Sequence, residues 1–211
     1  RATRIQLVKA QQAADLPPTR ERGERLLLIK AWGYGFWSDV NHALGQFLVA
    51  EITGRTPVVH WGPNSLFSDD PLQNAFNHFF EPVSPLTIGD VIARRRSFYP
   101  PKWQRDNVRH ENLAKFDGPW SRCSALWTLE RNEEVVVSDF HYAVNDLAPW
   151  LPVGHPLHGR STEELYLYLF ERYLKVQPHI LKRVEAFYRE HLAGTPIIGL
   201  HVRGGDKAGE D

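Results

Sequence analysis

Arg25-Leu26-Leu27-Leu28-Ile29-Lys30 runs into Trp32-Gly33-Tyr34-Gly35-Phe36-Trp37, and Pro57-Val58-Val59-His60 follows after one amphipathic segment. The first run is short, apolar and bounded by charge, which reads as a buried strand. In the segment between, Val40, Ala43, Leu44, Phe47, Leu48 and Ile52 recur at the three-and-four spacing of one buried helix face. Ser38 or Asp39 is the expected cap of that helix, and Gly54 its stop. Strand, helix and strand in this order make a β-α-β unit over residues 25 to 60, which calls for a parallel sheet. The turn lacks the G-x-G-x-x-G dinucleotide fingerprint. It still brings backbone N–H groups to a helix N-terminus, where an anion is favoured. Asn41 and His42 are expected in the first helical turn, facing a cleft; the alternative for His42 is an ordinary solvated helix position.

Outward from this unit the pattern weakens. Residues 1 to 24 are polar, carry Pro17-Pro18 and show no periodicity, as expected of a loosely ordered arm. From about 61 to 132 the chain reads as a loop-rich insertion, with short helices near Gln73 to Phe80 and Thr87 to Arg95. Its tryptophans, Trp61 among them, either stack on a sugar acceptor or pack a loop-heavy core. Asp69-Asp70-Pro71 reads as a turn initiator. Glu134 to Asp139 is a third strand, and its exit, Asp139-Phe140-His141-Tyr142, is a candidate wall of a site. Ser161-Thr162-Glu163-Glu164 is a capping box that opens a helix bearing Leu165, Tyr168 and Leu169 on one face. Pro178 opens the next helix at its favoured first position, with Leu181, Val184 and Tyr188 as its buried stripe and Gly194 as its close.

The chain ends on Pro196-Ile197-Ile198-Gly199-Leu200-His201-Val202-Arg203-Gly204-Gly205-Asp206-Lys207-Ala208-Gly209-Glu210-Asp211. An apolar run opening into a glycine-rich polar turn is the pattern of a strand end at an α/β ligand site. Arg203 there can grip a phosphate through two parallel hydrogen bonds, and Gly204 and Gly205 permit close approach. The other reading of the stretch is a strand followed by a solvated, salt-bridged turn.

Composition narrows the partners. The 211 residues hold 25 acidic and 25 basic side chains, so no global field favours nucleic acid or an anionic membrane. The one cysteine, Cys123, excludes an intrachain disulfide and a four-thiol zinc site, and points to a reducing, cytoplasmic setting. No apolar run has the length of a transmembrane segment. There is no methionine, even at position 1, which marks the chain as part of a longer product.

The run Gly199 to Gly209 resembles the H-V-R-x-x-D-K-x-G motif of the α1,6-fucosyltransferases, a family that core-fucosylates N-glycans or fucosylates bacterial Nod factors. Two further features follow in the family's order: the turn Gly35-Phe36-Trp37-Ser38-Asp39-Val40-Asn41-His42, and the helix junction Gln177-Pro178-His179. The resemblance covers residues 25 to 60 and 161 to 211. It implies an α/β fold in which residues 25–194 form the N-terminal Rossmann-like lobe of a GT-B glycosyltransferase, a parallel sheet with the loop-rich insertion. Residues 195–211 would then carry the first strand and donor-site motif of an incomplete second lobe.

The same resemblance implies an inverting, metal-independent transfer of a sugar, fucose from GDP-fucose, to a glycan hydroxyl, with no cofactor beyond that nucleotide-sugar donor. Arg203 matches the arginine that holds the donor diphosphate, and His201 and Asp206 match positions that shape its loop. Gly35 and Phe36 would approach the donor from the first lobe. Lys207 matches a lysine of the catalytic centre, and Asp211 falls at the acidic base, with Glu210 as a substitute. Trp61, His141 and Tyr142 are the candidate acceptor contacts. Gly204 stands where the family has a second arginine, which keeps open another nucleotide sugar, a non-catalytic carbohydrate-binding relative, and a purely structural domain. Alone, residues 1 to 211 are expected to be inactive.

Overall fold

The structure, a computed structural model, describes residues 24–70, 73–109, 124–194 and 196–199. The chain divides into two compact units, Arg1–Lys175 and Val176–Asp211. In the first unit β1 (Leu26–Lys30), α1 (Phe36–Thr53) and β2 (Thr56–His60) form the expected β-α-β unit. After them come α2 (Phe76–Phe79), α3 (Ile88–Ile92), β3 (Phe98–Tyr99), α4 (Ser124–Leu129), β4 (Val135–Val137), α5 (Val144–Leu147) and α6 (Thr162–Tyr173). The four strands make one sheet in the order β2-β1-β4-β3, and every pairing is parallel. Lys30 lies opposite His60, and Leu28 opposite Val137.

A parallel sheet needs both faces covered, and the strand alternation supplies both. Leu26, Leu28, Val58, Val135 and Val137 pack with Val91, Trp103 and Val108 on one face. The intervening Leu27 and Ile29 are fully buried as well, and α1 contacts β1 and β2. The region expected as a loop-rich insertion therefore contributes β3 and part of this core. At the far end of α1, Glu51 accepts from the phenols of Tyr168 (3.4 Å) and Tyr173 and pairs with Arg172 Nε (2.9 Å), which clasps α6 to α1. Burial first, and then this carboxylate, push the Tyr173 phenol well above its ordinary range. The Ser161 capping box forms as read: Glu164 N donates to Ser161 Oγ (3.2 Å) and Ser161 N to Glu164 Oε2 (2.8 Å).

Three local expectations are corrected. The α1 cap is Gly35, not Ser38 or Asp39: its carbonyl accepts from Ser38 N (2.8 Å) and Asp39 N (3.1 Å), so the helix begins at Phe36. That leaves the buried Asp39 carboxylate inside the turn, where it accepts from Gly33 N (2.8 Å) and Tyr34 N (3.4 Å). In the second unit α7 (Pro178–Phe187) starts at Pro178 as read, but its apolar stripe is not buried: Leu181, Val184 and Tyr188 are 46%, 58% and 51% exposed. Helical spacing marks an apolar face; it does not supply the surface that covers it. Residues 196 to 199 form no strand, and the remainder of the strand expected there, from Leu200 on, lies outside the described residues. Among the described residues no helix is long and apolar enough to cross a membrane.

Candidate functional site

The chain leaves β1 toward β2 on one side, while β4 is its neighbour on the other, reached from β3. The carboxyl ends of β1 and β4, parallel neighbours, thus lie side by side at the carboxyl edge of the sheet, the edge at which open α/β sheets bind ligands. Two segments meet there: the turn 31–36 after β1 and residues 138–142 after β4. Lys30 N donates to Ser138 Oγ at 2.8 Å, which ties the two strand exits together.

The turn is shaped for approach from outside. Gly33 has a φ of 85°, a left-handed conformation that other residues rarely adopt. Gly35 has an ordinary φ of −60°, and a Cβ placed on it would meet nothing within 4 Å. Neither backbone strain nor packing requires a glycine at that exposed position; open space at the first N–H groups of the eighteen-residue α1 is what it provides. The Phe36 ring points away from that space. It is ringed by Trp37 (5.3 Å), Trp61 (6.3 Å), Phe67 (5.6 Å), Phe79 (4.9 Å) and Phe80 (6.2 Å), so Phe36 offers its backbone to a ligand.

Behind the turn, His42 is fully buried and stacks on Trp32 at 5.0 Å. Because α1 begins at Phe36, His42 sits beyond the first turn and does not face a cleft as expected. His141 completes the group, 5.6 Å from the Trp32 ring and 5.7 Å from His42. It is half-buried, and burial holds its imidazole below the ordinary pKa against the opposing pull of Asp146. His141 is therefore neutral at pH 7 and able to accept a hydrogen bond from a hydroxyl.

On the other face a charged network is satisfied internally. Lys30 Nζ donates to Val108 O (2.9 Å) and lies 4.1 Å from the Trp103 ring centroid. Asp139 takes Trp103 Nε1 (3.1 Å) on one oxygen and Lys102 Nζ (2.6 Å) on the other. These contacts brace the strand exits. A separate hollow of about 310 Å³ lies off the sheet edge at the end of β2, lined by His60, Asn74, Phe76, Ser84 and Thr87 among others.

Two candidate acceptor contacts are corrected. Trp61 is fully buried, with Phe36 and Phe76 edge-on against it, so no sugar reaches its faces. Tyr142 is 5% exposed and its phenol is engaged with Thr128 Oγ1 at 2.7 Å. Composition places aromatic rings in a segment but says nothing of which way they turn. Sequence reasoning also passed over Tyr34 and Trp37 as contacts, although they flank Gly35; they are 57% and 69% exposed. His201, Arg203, Asp206, Lys207, Glu210 and Asp211 lie outside the described residues. Among the described residues no group of three or more His, Cys, Asp or Glu side chains is arranged to hold a metal ion.

No family model matches the chain. It is 31% identical over 185 residues to nodulation protein Z of Bradyrhizobium diazoefficiens, a match covering 84% of this chain and 46% of that protein. The chain thus spans about half the length of this relative. Among solved structures, selenomethionine-labelled fucosyltransferase NodZ from Bradyrhizobium superposes with a TM-score of 0.51 at 22% identity, over 82% of this chain and 57% of that one. NodZ α-1,6-fucosyltransferase soaked with GDP-fucose aligns over 81% of this chain and 56% of its own, at 23% identity and a TM-score of 0.49.

Proposed function

We propose, for a chain that belongs with nodulation protein Z in a fucosyltransferase-like family, that the full-length protein transfers fucose from GDP-fucose to a hydroxyl of a glycan. The observation that carries the reading within this chain is Gly35: a glycine with no packing or conformational need, at the open N-terminus of α1, at the carboxyl end of a central parallel strand. Such a place accepts a diphosphate through backbone N–H groups and the positive helix end. The resemblance of the C-terminal motif, taken by itself, assigns Arg203 to the donor diphosphate and His201 and Asp206 to shaping its loop.

Sugar transfer proceeds through an oxocarbenium-like state while charge builds on the departing diphosphate. The resemblance assigns Arg203 to stabilising that charge with no reorganisation during the reaction, a part that backbone amide groups such as those after Gly35 are also able to play. This arrangement is the ground for reading the transfer as metal-independent. Asp211, or Glu210 beside it, would remove the proton of the acceptor hydroxyl from the opposite face, with inversion, a contribution of about 10²–10⁴-fold in rate. Lys207 would add positive charge at the same centre. On the first unit, His141 is the remaining acceptor contact of the three read from the sequence, neutral and half exposed. One cysteine and no intrachain disulfide suit a cytoplasmic reaction.

A second reading has one observation in its favour. Gly204 occupies the position of the family's second arginine, which removes a bidentate donor and leaves room for a different nucleotide sugar. Calorimetry on the full-length protein with GDP, UDP and ADP separates the two. Tightest binding of GDP is expected; preference for UDP or ADP would replace GDP-fucose with another donor, and no binding of any of the three would remove the transferase reading.

A further inference from the structure

With Trp61 and Tyr142 turned inward, the acceptor side of the site lacks the rings that the sequence offered it. We propose that Trp37, with Tyr34 on the other side of Gly35 in the chain, is the stacking platform for a pyranose ring of the acceptor glycan, an inference that rests on the transferase reading above. At 69% and 57% exposure these are among the most exposed aromatic side chains described.

The exposure of Trp37 is not that of a loosely attached side chain. Trp37 stands in the first turn of α1 and packs edge-on against Phe36, with ring centroids 5.3 Å apart and planes at 79°. Phe36 is itself held by Trp61, Phe67, Phe79 and Phe80. The indole is therefore mounted on a rigid cluster, although most of its surface faces outward. Tyr34 is similarly backed by Trp32, 6.3 Å away, which in turn stacks on His42.

Chemistry selects a sugar as the occupant. A β-linked pyranose whose hydroxyls are equatorial, as in the gluco configuration, carries them around the rim and leaves a flat C–H face, which a large amphipathic ring matches while its N–H or O–H remains free for hydrogen bonding. Sugar subsites combine such a ring with a few polar groups: the exposed Ser38 follows Trp37 directly, and half-buried Asn41 stands one helical turn on, its Oδ1 accepting from Tyr166 OH at 3.0 Å. Position agrees. The acceptor hydroxyl must lie within bond-forming reach of the donor sugar, so its platform has to border the donor turn, and Trp37 is separated from Gly35 only by Phe36.

The test uses the full-length protein and its Trp37→Ala and Trp37→Phe variants, titrated with chitotetraose and cellotetraose and, separately, with GDP. Affinity for the better tetrasaccharide is expected to fall about ten-fold in Trp37→Ala, with partial recovery in Trp37→Phe. GDP affinity and melting temperature are expected to match the wild type, and the wild-type tryptophan emission to shift to the blue on saccharide binding. Unchanged tetrasaccharide affinity in Trp37→Ala overturns the platform alone, provided GDP still binds. A wild type that binds GDP but neither tetrasaccharide also overturns it. A wild type that binds no nucleotide removes the transferase reading, and the platform falls with it.

Discussion

A Cβ built on Gly45 would lie 1.8 Å from the carbonyl oxygen of Tyr142 and 2.9 Å from its carbonyl carbon. Both atoms are backbone, so no rotamer change relieves the clash. Next to it, Gln46 Nε2 donates to Phe140 O at 2.7 Å. Together these two residues press segment 140–142 onto α1 and so deliver His141 to Trp32 and His42. Gly45→Ala is expected to cost about 1–3 kcal/mol, as overpacking of a tight interface does, and to displace the His141 ring. Urea unfolding reads the first effect, and the His141 imidazole resonances read the second; a neutral substitution would show that the contact is not tight. Gly35→Ala is the internal control, since nothing crowds its Cβ: a cost below about 1 kcal/mol is expected. Helical spacing placed Ala43, Leu44, Phe47 and Leu48 on a buried face, yet it gave no hint about Gly45. Its reason for being glycine is a carbonyl far along the chain, and a single sequence does not display such a contact.

At the scale of elements, one side chain fastens the amino ends of two central strands. Arg55, buried between α1 and β2, donates to the carbonyls of Arg131 (2.7 Å), Glu133 (2.9 Å), Leu26 (3.2 Å) and Glu134 (3.4 Å). Burial first, then the neighbouring Arg25 charge, lower its pKa to about 10, so the guanidinium is still charged at pH 7. Arg55→Ala would leave several buried carbonyls without their donor and is expected to cost about 2–4 kcal/mol, or about 5–10 °C in melting temperature. Arg55→Lys should recover little, because an ammonium cannot span that set of acceptors as a planar fork does. Thermal unfolding of both variants checks this, and a Lys variant as stable as the wild type would reduce the fork to a simple charge. The strand β4 that Arg55 helps to hold was legible as Glu134 to Asp139, because three consecutive valines leave little choice. Its neighbour β3 was not: two residues, Phe98 and Tyr99, followed by Pro100-Pro101, are too few to show a period. Among the described residues that strand pairs with β4 alone and ends the sheet, where sequence demands are weakest.

For the molecule as a whole, the β-α-β unit of residues 25 to 60 carried the parallel sheet, and the sheet order sets the carboxyl ends of β1 and β4 side by side. What local pattern could not give was the facing of each ring there, since an indole is the same letter whether buried, as Trp61, or open, as Trp37. The proposed chemistry also needs a cation for the leaving diphosphate, because amide dipoles supply only about half a charge. Arg203 is the residue that the motif offers for this. In the full-length protein Arg203→Ala is expected to weaken GDP about 10–100-fold, the loss of charge-assisted hydrogen bonds to phosphate. Arg203→Lys should restore only part of it, a point charge replacing a two-pronged donor. Melting temperature in the absence of nucleotide should stay at the wild-type value, since a residue held for a ligand contributes little to folding. Calorimetry with GDP and with guanosine separates the phosphate contribution from the base: guanosine affinity should be indifferent to the substitution. Equal losses for both ligands would mean that Arg203 maintains the loop and does not grip the diphosphate, and the positive charge on the diphosphate would then have to come from elsewhere, Lys207 first.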